Sequence, residues 1–541
     1  MPDIPPATER FTAEERRALH PFFTNLDRPV FALRNLPEVV KGALFARYSR
    51  SAKSVRRLFL DEFLDTVSGA PGGGQIGLTR AEALYEKVFG AYGDDSVAQL
   101  GGAHIACEGV SNVLTKVLER GRLMSYLEQS TRYVPYTARV DGGWKYLVPP
   151  ELRDHPVRAE YEATLDDAFD TYARWLEPAQ DYFRRRYPRQ EGDPEGVHHA
   201  AIRAKALDTL RGLLPAATRS NLGIFGSGQG FEQLLLRMRA HPLAEARDCA
   251  DQMLAELREV IPAFLTRVDR TDRGVRWSRY LEETRRSAAG VAATLLAGTE
   301  AEPRPDVTLT DFDPDGEEKV AAAILYEASS LPESQLVGIA RGMDAAGRAS
   351  LIRAYAGDRA NRRHRPGRAF ERTDYCFDIL SDYGAFRDLQ RHRLLTVEWQ
   401  TLTADHGYVC PAAIEEFGAT ADWTRVMERS RALHDRLRDA SPALAQYGVA
   451  MAYRIRYRLQ MNAREAMHVI ELRTTPQGHP AYRRVCQEMH RLIAEEARHR
   501  AIAETMTFAD HSEVELERLD AERTAGRRRA GAAAGESAVG R

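Results

Sequence analysis

The segment 119–136 is the feature around which the rest of the chain must be arranged. Within 13 residues it holds three arginines, one carboxylate and two serine hydroxyls: Arg120, Arg122, Arg132, Glu128, Ser125 and Ser130. Guanidinium groups bind phosphate bidentately, and serine hydroxyls add neutral hydrogen bonds. This composition indicates a nucleotide phosphate site. The alternative, from composition alone, is a solvated, arginine-rich helix end.

Length, charge and cysteine usage limit the classes of protein to consider. A chain of 541 residues has room for two or more domains. Its net charge of −2 provides no overall basic field that would attract nucleic acid or a membrane surface. The five cysteines form no Cys-x-x-Cys pair, which favours lone thiols in a reducing compartment over zinc or disulfides. We therefore expect a cytoplasmic protein with no metal site and no nucleic-acid or membrane partner.

Periodicity gives a coarse map of the secondary structure. Small and apolar residues at helical spacing predict a buried helix over 95–120, and other helices are predicted over 157–187, 424–440, 444–473 and 480–505. Residues 374–380 alternate as a strand does, and residues 307–310 are a second candidate strand. The tail, 511–541, is rich in Arg, Ala and Gly towards its end and is predicted to be disordered.

The order of residues in the arginine-rich segment resembles the signature of the flavin-dependent thymidylate synthases. The pattern Arg-x-Arg-x-x-Ser-x-x-Glu-x-Ser-x-Arg-Tyr runs from Arg120 to Tyr133. Two positions depart from the family form, because Gly121 replaces a His and Leu127 replaces an Asn. In the first half, Arg211-x-x-Leu-Pro is similar to a second family element.

Further family features lie half a chain later. Arg391-His392-Arg393 restores the Arg-His-Arg opening 271 residues after Arg120. Upstream stands His364…Glu371, two residues longer than the family spacing, and downstream stand Asn462-Ala-Arg464 and Leu472-Arg473. The resemblance implies an internal duplication in a helix-rich α+β chain. Two tandem, diverged copies of the family fold, an antiparallel sheet flanked by helices, are expected at 1–300 and 301–510.

The resemblance also implies that the two copies divide the site between them. The implied substrate-binding residues are Arg120, Ser125, Glu128, Ser130, Arg132 and Arg211 from the first copy and Arg391 and Arg473 from the second. The implied flavin-binding residues are His364, Glu371, Arg391, His392, Arg393, Asn462, Arg464 and His468. Arg473, Ser130 and Glu128 are the implied catalytic residues. Each copy lacks what the other keeps, which favours a composite site over decay of both.

The implied activity is that of a flavin-dependent thymidylate synthase-like methyltransferase. It would methylate C5 of a uracil nucleotide, of the dUMP to dTMP type, with FAD as cofactor and with NADPH and methylenetetrahydrofolate as co-substrates. Family sites are shared between the subunits of a tetramer, so two double-length chains are expected to form a homodimer equivalent to a tetramer. Two alternatives stay open: a flavin enzyme acting on another nucleoside or heteroaromatic ring, and a non-catalytic nucleotide-binding pseudoenzyme.

Overall fold

The computed structural model describes residues 10–29, 31–48, 51, 53–64, 99–191 and 193–513. The chain divides into two compact units whose segments alternate along the sequence. The first unit comprises Met1–Glu108, Gly121–Glu128 and Asn221–Thr299, and the second comprises Gly109–Arg120, Gln129–Ser220 and Glu300–Arg541. The predicted division near residue 300 stays a prediction, and most of the tail, 514–541, lies outside the described residues.

The strands of the described residues form two antiparallel sheets. The first sheet has the order β1-β3-β2, and the second has the order β4-β5-β7-β6. Met124 faces Gly226 and Glu128 faces Leu222 across β2 and β3. The bounds are β1 Gly102–Ser111, β2 Met124–Glu128, β3 Arg219–Ser227, β4 Val307–Phe312, β5 Asp374–Asp382, β6 Thr396–Trp399 and β7 Arg454–Asn462.

Helices make up most of the remaining described chain. The α-helices are Ala13–Leu19, Glu38–Tyr48, Val55–Leu58, Asn112–Leu118, Arg158–Arg186, Glu195–Leu210, Gly228–Arg239, Ala244–Arg258, Arg276–Leu295, Gly316–Glu327, Glu333–Gly342, Ala345–Ala356, Tyr383–Leu389, Ala412–Glu416, Thr420–Ala440, Pro442–Ala445, Ala463–Arg473, Pro480–Glu495 and Arg500–Glu504. Short 3₁₀ helices occur at Pro150–Leu152, Arg211–Leu213, Pro262–Leu265, Arg368–Arg372 and Gln446–Gly448, and π-helical turns at Phe59–Phe63 and Thr271–Val275.

The core of the second unit is built on the two central strands of its sheet. Phe377 of β5 lies opposite Leu459 of β7, and Ile379 lies opposite Tyr457. All four side chains are buried, because alternate residues of a strand point to the same face. This packing fixes the strand ends, and the helices Tyr383–Leu389 and Ala463–Arg473 that follow β5 and β7 begin at those ends.

Both halves of the chain repeat one order of elements. In each half a strand leads directly into a helix, a short strand follows, and a later strand leads into a helix pair. Ser111 and Asp382 cap the helix at the first junction, and Ser227 and Asn462 cap the helix at the second. The elements are β1, Asn112–Leu118, β2, β3, Gly228–Arg239 and Ala244–Arg258 in one half, and β5, Tyr383–Leu389, β6, β7, Ala463–Arg473 and Pro480–Glu495 in the other.

Equivalent segments of the two copies pair with each other inside the second unit. Pro215 and Ala450 form an antiparallel bridge, the Ala216 amide donates to the Val449 carbonyl at 2.8 Å, and the Met451 amide donates to the Leu214 carbonyl at 2.9 Å. Positions 215 and 450 are 235 apart, as are the equivalent caps at 227 and 462. Like segments therefore face each other as in a two-fold interface between identical subunits. The prediction of an α+β chain with two diverged copies is confirmed.

Two predicted helices are wrong in part. Residues 102–111 form β1, and residues 454–462 form β7. In β7 the buried Ile455, Tyr457, Leu459 and Met461 alternate with Arg454, Arg456 and Arg458, so a period of two was already present in the sequence. In β1 the small residues fit both periods, and the helix begins only after the Ser111 cap. The strands predicted at 307–310 and 374–380 are confirmed.

Candidate active site

Four arginines surround one carboxylate in the second unit. Asp388 lies near the end of the helix Tyr383–Leu389, which begins where the Asp382 side chain caps it. Arg391 contacts the Asp388 carboxylate directly, and the Arg473 Nη1 lies 3.7 Å from it. Burial alone would raise the pKa of Asp388, but Arg391, Arg473, Arg211 and Arg132 together hold it well below its usual range. Asp388 is therefore ionised at any ordinary pH and neutralises part of the arginine charge.

Arg473, the last residue of the helix Ala463–Arg473, is held on three sides. Its Nε donates to His392 Nε2 at 2.9 Å, and its Nη2 donates to the Asp388 carbonyl at 2.5 Å. Its guanidinium also lies over the Tyr482 ring, 5.4 Å from the centroid. These contacts fix the direction of the guanidinium before any ligand arrives.

Arg132 points into the same region from the first copy. The Asp208 carboxylate binds the Arg132 Nε at 2.9 and 2.8 Å, and an ion pair of 2.8 Å joins Asp208 to the Arg132 Nη2. Arg132 and Arg473 line one cavity of about 240 Å³ together with Tyr133, Lys205 and Tyr482. Guanidinium groups from the two copies therefore line one cavity within a single chain.

Arg211 has a guanidinium nitrogen without a partner. The residue is only 5% exposed, and among the described residues no hydrogen-bond acceptor faces its Nη2. It lines a second cavity of about 250 Å³ with Lys205, His479 and Arg484. Burial, followed by Arg211 and Arg132, lowers the pKa of His479 well below its usual value, so the ring is neutral. Asp208 and Asp382 also line this cavity, but the unpaired buried guanidinium itself is suited to an anion.

Beside Arg473 lies a cluster of His392, Glu465 and His468. Their ligand-type atoms all lie within 4.8 Å of one another. The Arg473 Nε–H donates to His392 Nε2, so the proton of the neutral His392 ring is on Nδ1, which faces Glu465 Oε1 at 3.7 Å. A protonated Nδ1 has no lone pair for a cation, and Arg365 and Arg464 add positive charge. The cluster therefore suits a ring with hydrogen-bond acceptors better than a metal ion.

Burial controls the protonation of this cluster. Burial and then Arg473 lower the pKa of His392 well below its usual value, and burial together with Arg365 and Arg362 lowers the pKa of His468 to about 4. Burial raises the pKa of Glu465 to about 7, although Arg365 and Arg464 oppose the rise. Near neutral pH, one proton is therefore exchanged at Glu465, between two neutral imidazoles.

The other residues that the resemblance assigns to flavin differ in their surroundings. Asn462 caps the helix through its Oδ1, which accepts from the Glu465 amide at 2.9 Å. Arg464 donates to the Pro366 carbonyl at 2.9 Å and to Glu371 at 3.2 Å. His364 contacts Asn361 within its own loop at 3.1 Å, and Arg393 is exposed.

Residues of the first signature are divided between the two units. Arg120, Ser130 and Arg132 belong to the second unit, whereas Ser125 and Glu128 lie on β2 of the first. Arg120 pairs with Glu398 at 2.7 Å, and Ser130 Oγ accepts from the Arg132 amide at 3.2 Å. Glu128 is buried. The arginine cluster around Asp388 consists of second-unit residues alone.

The family model described as thymidylate synthase complementing protein matches residues 43–263 and 308–497. The chain belongs to the thymidylate synthase complementing protein family. The predicted resemblance is thereby confirmed, and the two matched segments fall in the two halves of the chain.

Relatives of this family occur at full and at half length. A UPF0159 protein of Chlamydia pneumoniae is 38% identical over 522 residues, covering 95% of this chain and 98% of its own. A flavin-dependent thymidylate synthase of Clostridium tetani is 30% identical over 178 residues, covering 32% of this chain and 64% of its own. The solved UMP/dUMP methylase PolB of Streptomyces cacaoi is 20% identical, covers 38% of this chain and 97% of its own, and has a TM-score of 0.29.

Three acidic residues of this family member were missed by sequence reasoning. Asp208 and Asp388 are the counter-charges of the arginines, and Glu465 is the titrating group beside His392. A signal existed for the first two, because each stands three residues before an arginine of the set, in Asp208-x-x-Arg211 and Asp388-x-x-Arg391. No pattern singled out Glu465.

None of the helices within the described ranges combines the length and hydropathy that a membrane span requires.

Proposed function

We propose that this chain methylates C5 of a uracil nucleotide, of the dUMP to dTMP type, using FAD, methylenetetrahydrofolate and NADPH. The main support is that Arg132 of the first copy and Arg473 of the second line one cavity of the second unit. A composite nucleotide site needs one group for the phosphate and another for the ring, and this cavity offers both. The name of the Clostridium tetani relative supports the flavin.

The nucleotide roles follow from charge and position. Arg132 and Arg211 bind phosphate, since guanidinium forks match its oxygens. Arg473 faces the uracil ring, where its positive charge stabilises the electron-rich form of the ring in which C5 is nucleophilic towards the one-carbon unit. We assign Ser130 and Glu128 to orienting the sugar and phosphate. Arg120, Ser125 and Arg391 complete the proposed substrate set.

The residues around His392 fit a flavin. The His392 Nδ1–H, the neutral His468 ring and Arg464 offer donors to ring acceptors and to phosphate, and the surrounding charge is positive. When bound, the reduced flavin supplies the hydride that converts the transferred carbon to a methyl group. Around it, Arg473 fixes the His392 tautomer, and the helix cap Asn462 fixes the start of the helix. The remaining proposed contacts are His364, Glu371, Arg391 and Arg393.

Flavin absorbance and methyl transfer test this proposal together. Purified protein should be yellow or should take up FAD, and should convert dUMP to dTMP with both co-substrates. Arg473→Gln should keep the flavin and lose turnover by at least about a hundredfold, because an electrostatic contact to developing charge is removed. Arg436→Gln, at an exposed ion pair, is the control. Protein that neither holds nor binds FAD would contradict the proposal.

One observation favours a different acceptor. Leu127 stands where the resemblance implies an Asn, and it is 81% exposed on β2. A missing amide changes which ring or sugar groups can be bound. The alternative function is flavin-dependent chemistry on another nucleoside. Flavin-loaded protein that leaves dUMP unchanged but converts UMP or a cytosine nucleotide would establish it, and Leu127→Asn should then shift preference towards dUMP.

We also propose that two chains form a homodimer equivalent to the family tetramer. The pairing of equivalent segments around Pro215 and Ala450 supports this, because one such two-fold pairing is already satisfied within the chain. Light scattering should give twice the 60.7 kDa chain mass. Mixing an Arg132→Ala chain with an Arg473→Ala chain locates the site, since only a site shared between chains regains activity.

A further inference from the structure

The loop 357–367 is a strongly basic segment of the second unit's described surface. It connects the helix Ala345–Ala356 to the 3₁₀ helix Arg368–Arg372. Within seven residues it holds four arginines and a histidine: Arg359, Arg362, Arg363, Arg365 and His364. Like charges at this density repel each other, so the loop needs a specific arrangement to hold its shape.

The buried side chain of Arg359 holds the loop in shape. Its guanidinium forms a bidentate pair with Glu471 at 2.7 and 2.6 Å, and the two side chains are only 4% and 1% exposed. The same guanidinium donates to the His364 carbonyl at 2.6 Å and to the Thr505 carbonyl at 3.0 Å. A buried arginine thus ties the loop backbone to the helix that carries Arg473.

Two further contacts make the loop rigid. Asn361 Oδ1 accepts from the Arg363 amide at 2.9 Å, which closes a tight turn. On the other side, Arg464 donates to the Pro366 carbonyl at 2.9 Å. The loop is therefore ordered at both ends against the helix Ala463–Arg473, and its side chains have a defined direction.

Three guanidinium groups on this rigid loop form no ion pair at contact distance with any described residue, although the charge of Arg365 also acts on the buried Glu465 carboxyl. Within the described part of the chain, no carboxylate pairs with Arg362, Arg363 or Arg365, whereas the next two arginines along the chain pair with Glu371 and Glu333. Arg363 and Arg365 are exposed, and Arg362 is half-buried. Their charge reaches the candidate site, because Arg362 and Arg365 lower the pKa of His468.

We propose that Arg362, Arg363 and Arg365 bind the anionic end of a co-substrate, a diphosphate or a run of carboxylates, whose reacting ring lies beside His392 and His468. This inference rests on the proposed function for the position of the ring. Three unpaired guanidiniums on one ordered loop match several anionic groups in sequence, and a single phosphate would leave charge unmatched. Two ligands share this chemistry: the phosphates of a nicotinamide dinucleotide and the glutamate carboxylates of a folate.

Equilibrium binding to a triple variant tests the loop. Arg362→Gln/Arg363→Gln/Arg365→Gln removes three charges, and Arg17→Gln/Arg185→Gln/Arg279→Gln removes three exposed charges elsewhere as the control. Calorimetry with inorganic pyrophosphate, NADPH, and mono- and triglutamyl tetrahydrofolate measures each Kd. For whichever class of probe binds the loop, phosphates or carboxylates, we expect the Kd of the Gln triple variant to be higher than that of the parent protein by at least about a hundredfold. A Lys triple variant should restore part of the affinity. FAD absorbance and dUMP binding should stay unchanged.

Each outcome decides between the possibilities. A loss confined to the triglutamyl folate assigns the loop to carboxylates, and a loss confined to NADPH and pyrophosphate assigns it to phosphates. Equal affinities in the loop variant, the control and the parent protein for all four probes would overturn the inference, while retained FAD would leave the proposed function intact. If the parent protein binds no FAD, the proposed function fails, and the pyrophosphate titration still tests the loop.

Discussion

The buried carboxyl of Glu465 should make the protein less stable as pH rises. Its pKa in the folded protein is raised to about 7 from an ordinary 4.5, because burial outweighs Arg365 and Arg464. An acid whose folded pKa is raised binds its proton more tightly in the folded state. Folding is therefore weakened as pH rises from about 4.5 to about 7 and no further above that. At about 1.4 kcal/mol per tenfold change, the full penalty is about 3 kcal/mol.

Glu465→Gln carries the neutral form at every pH and removes this penalty. The free energy of unfolding of the variant should match that of the parent protein near pH 4.5. The difference should grow in the variant's favour as pH rises and reach about 3 kcal/mol above pH 7. Urea unfolding followed by tryptophan fluorescence is the assay. Four of the five tryptophans, Trp144, Trp175, Trp399 and Trp423, lie in the second unit with Glu465.

Glu371→Gln supplies the opposite sign as a control. The hydrogen bond from Arg368 lowers the pKa of Glu371 and, with the charge of Arg464, outweighs the opposing effect of burial, so the neutral substitute should lose stability above the ordinary carboxyl pKa. A stability difference between Glu465→Gln and the parent protein that does not change between pH 5 and 8, or a less stable variant at pH 8, would refute the burial argument. Infrared titration of the protonated carboxyl, absent in the variant, locates the pKa directly.

Three further substitutions test the contacts of the site. Arg132→Ala leaves the Asp208 carboxylate, whose side chain is 9% exposed, unpaired and should cost about 3 kcal/mol of unfolding free energy in urea, of which Arg132→Ala/Asp208→Asn regains a part. Gly384→Ala places a Cβ 2.8 Å from Arg211 Nη2 and should raise the dUMP Kd at least about tenfold, whereas Gly338→Ala, a helical glycine with no atom within 4 Å, should not. Glu471→Gln weakens the Arg359 anchor and should speed amide hydrogen exchange across 357–367 without affecting dUMP binding.

The sequence indicates a strand where polar and apolar residues alternate cleanly, as in β5 and also in β7, where the prediction followed a helical period instead. Residues 374–380 alternate cleanly, and β5 lies there. Over 102–111 the side chains are so small that both a period of two and a period of 3.6 place them on one face, and the tertiary pairing with β3 decides for the strand. The local sequence pattern cannot show that these residues form a strand, since the partner strand lies more than 100 residues away.

The arginines of the candidate site were predictable, whereas the role of the acidic residues that balance their charge was not. Arg132, Arg211 and Arg473 stand in recognisable patterns, but Asp388 acts through its place among four guanidiniums from both copies. Such a charge balance exists only after the copies have come together in space. The burial that raises the pKa of Glu465 is likewise a property of packing, because a first-turn glutamate usually faces water.

Duplication within one chain explains why the two copies could diverge so far. Where two identical chains meet at a two-fold axis, every substitution appears twice, so losing an arginine on one side also loses it on the other. Here the segments around Pro215 and Ala450 meet in the same way, but they are encoded separately. Arg211 stands at the position equivalent to Gln446, and Asn462-Ala-Arg464 at the position equivalent to Ser227-Gly-Gln229. One member of each pair keeps its charge, and both kept members belong to the second unit, where Arg132 and Arg473 share a cavity. One complete site of the proposed kind needs only one of the two arrangements, so the positions related to it by the two-fold pairing are free to lose their charge.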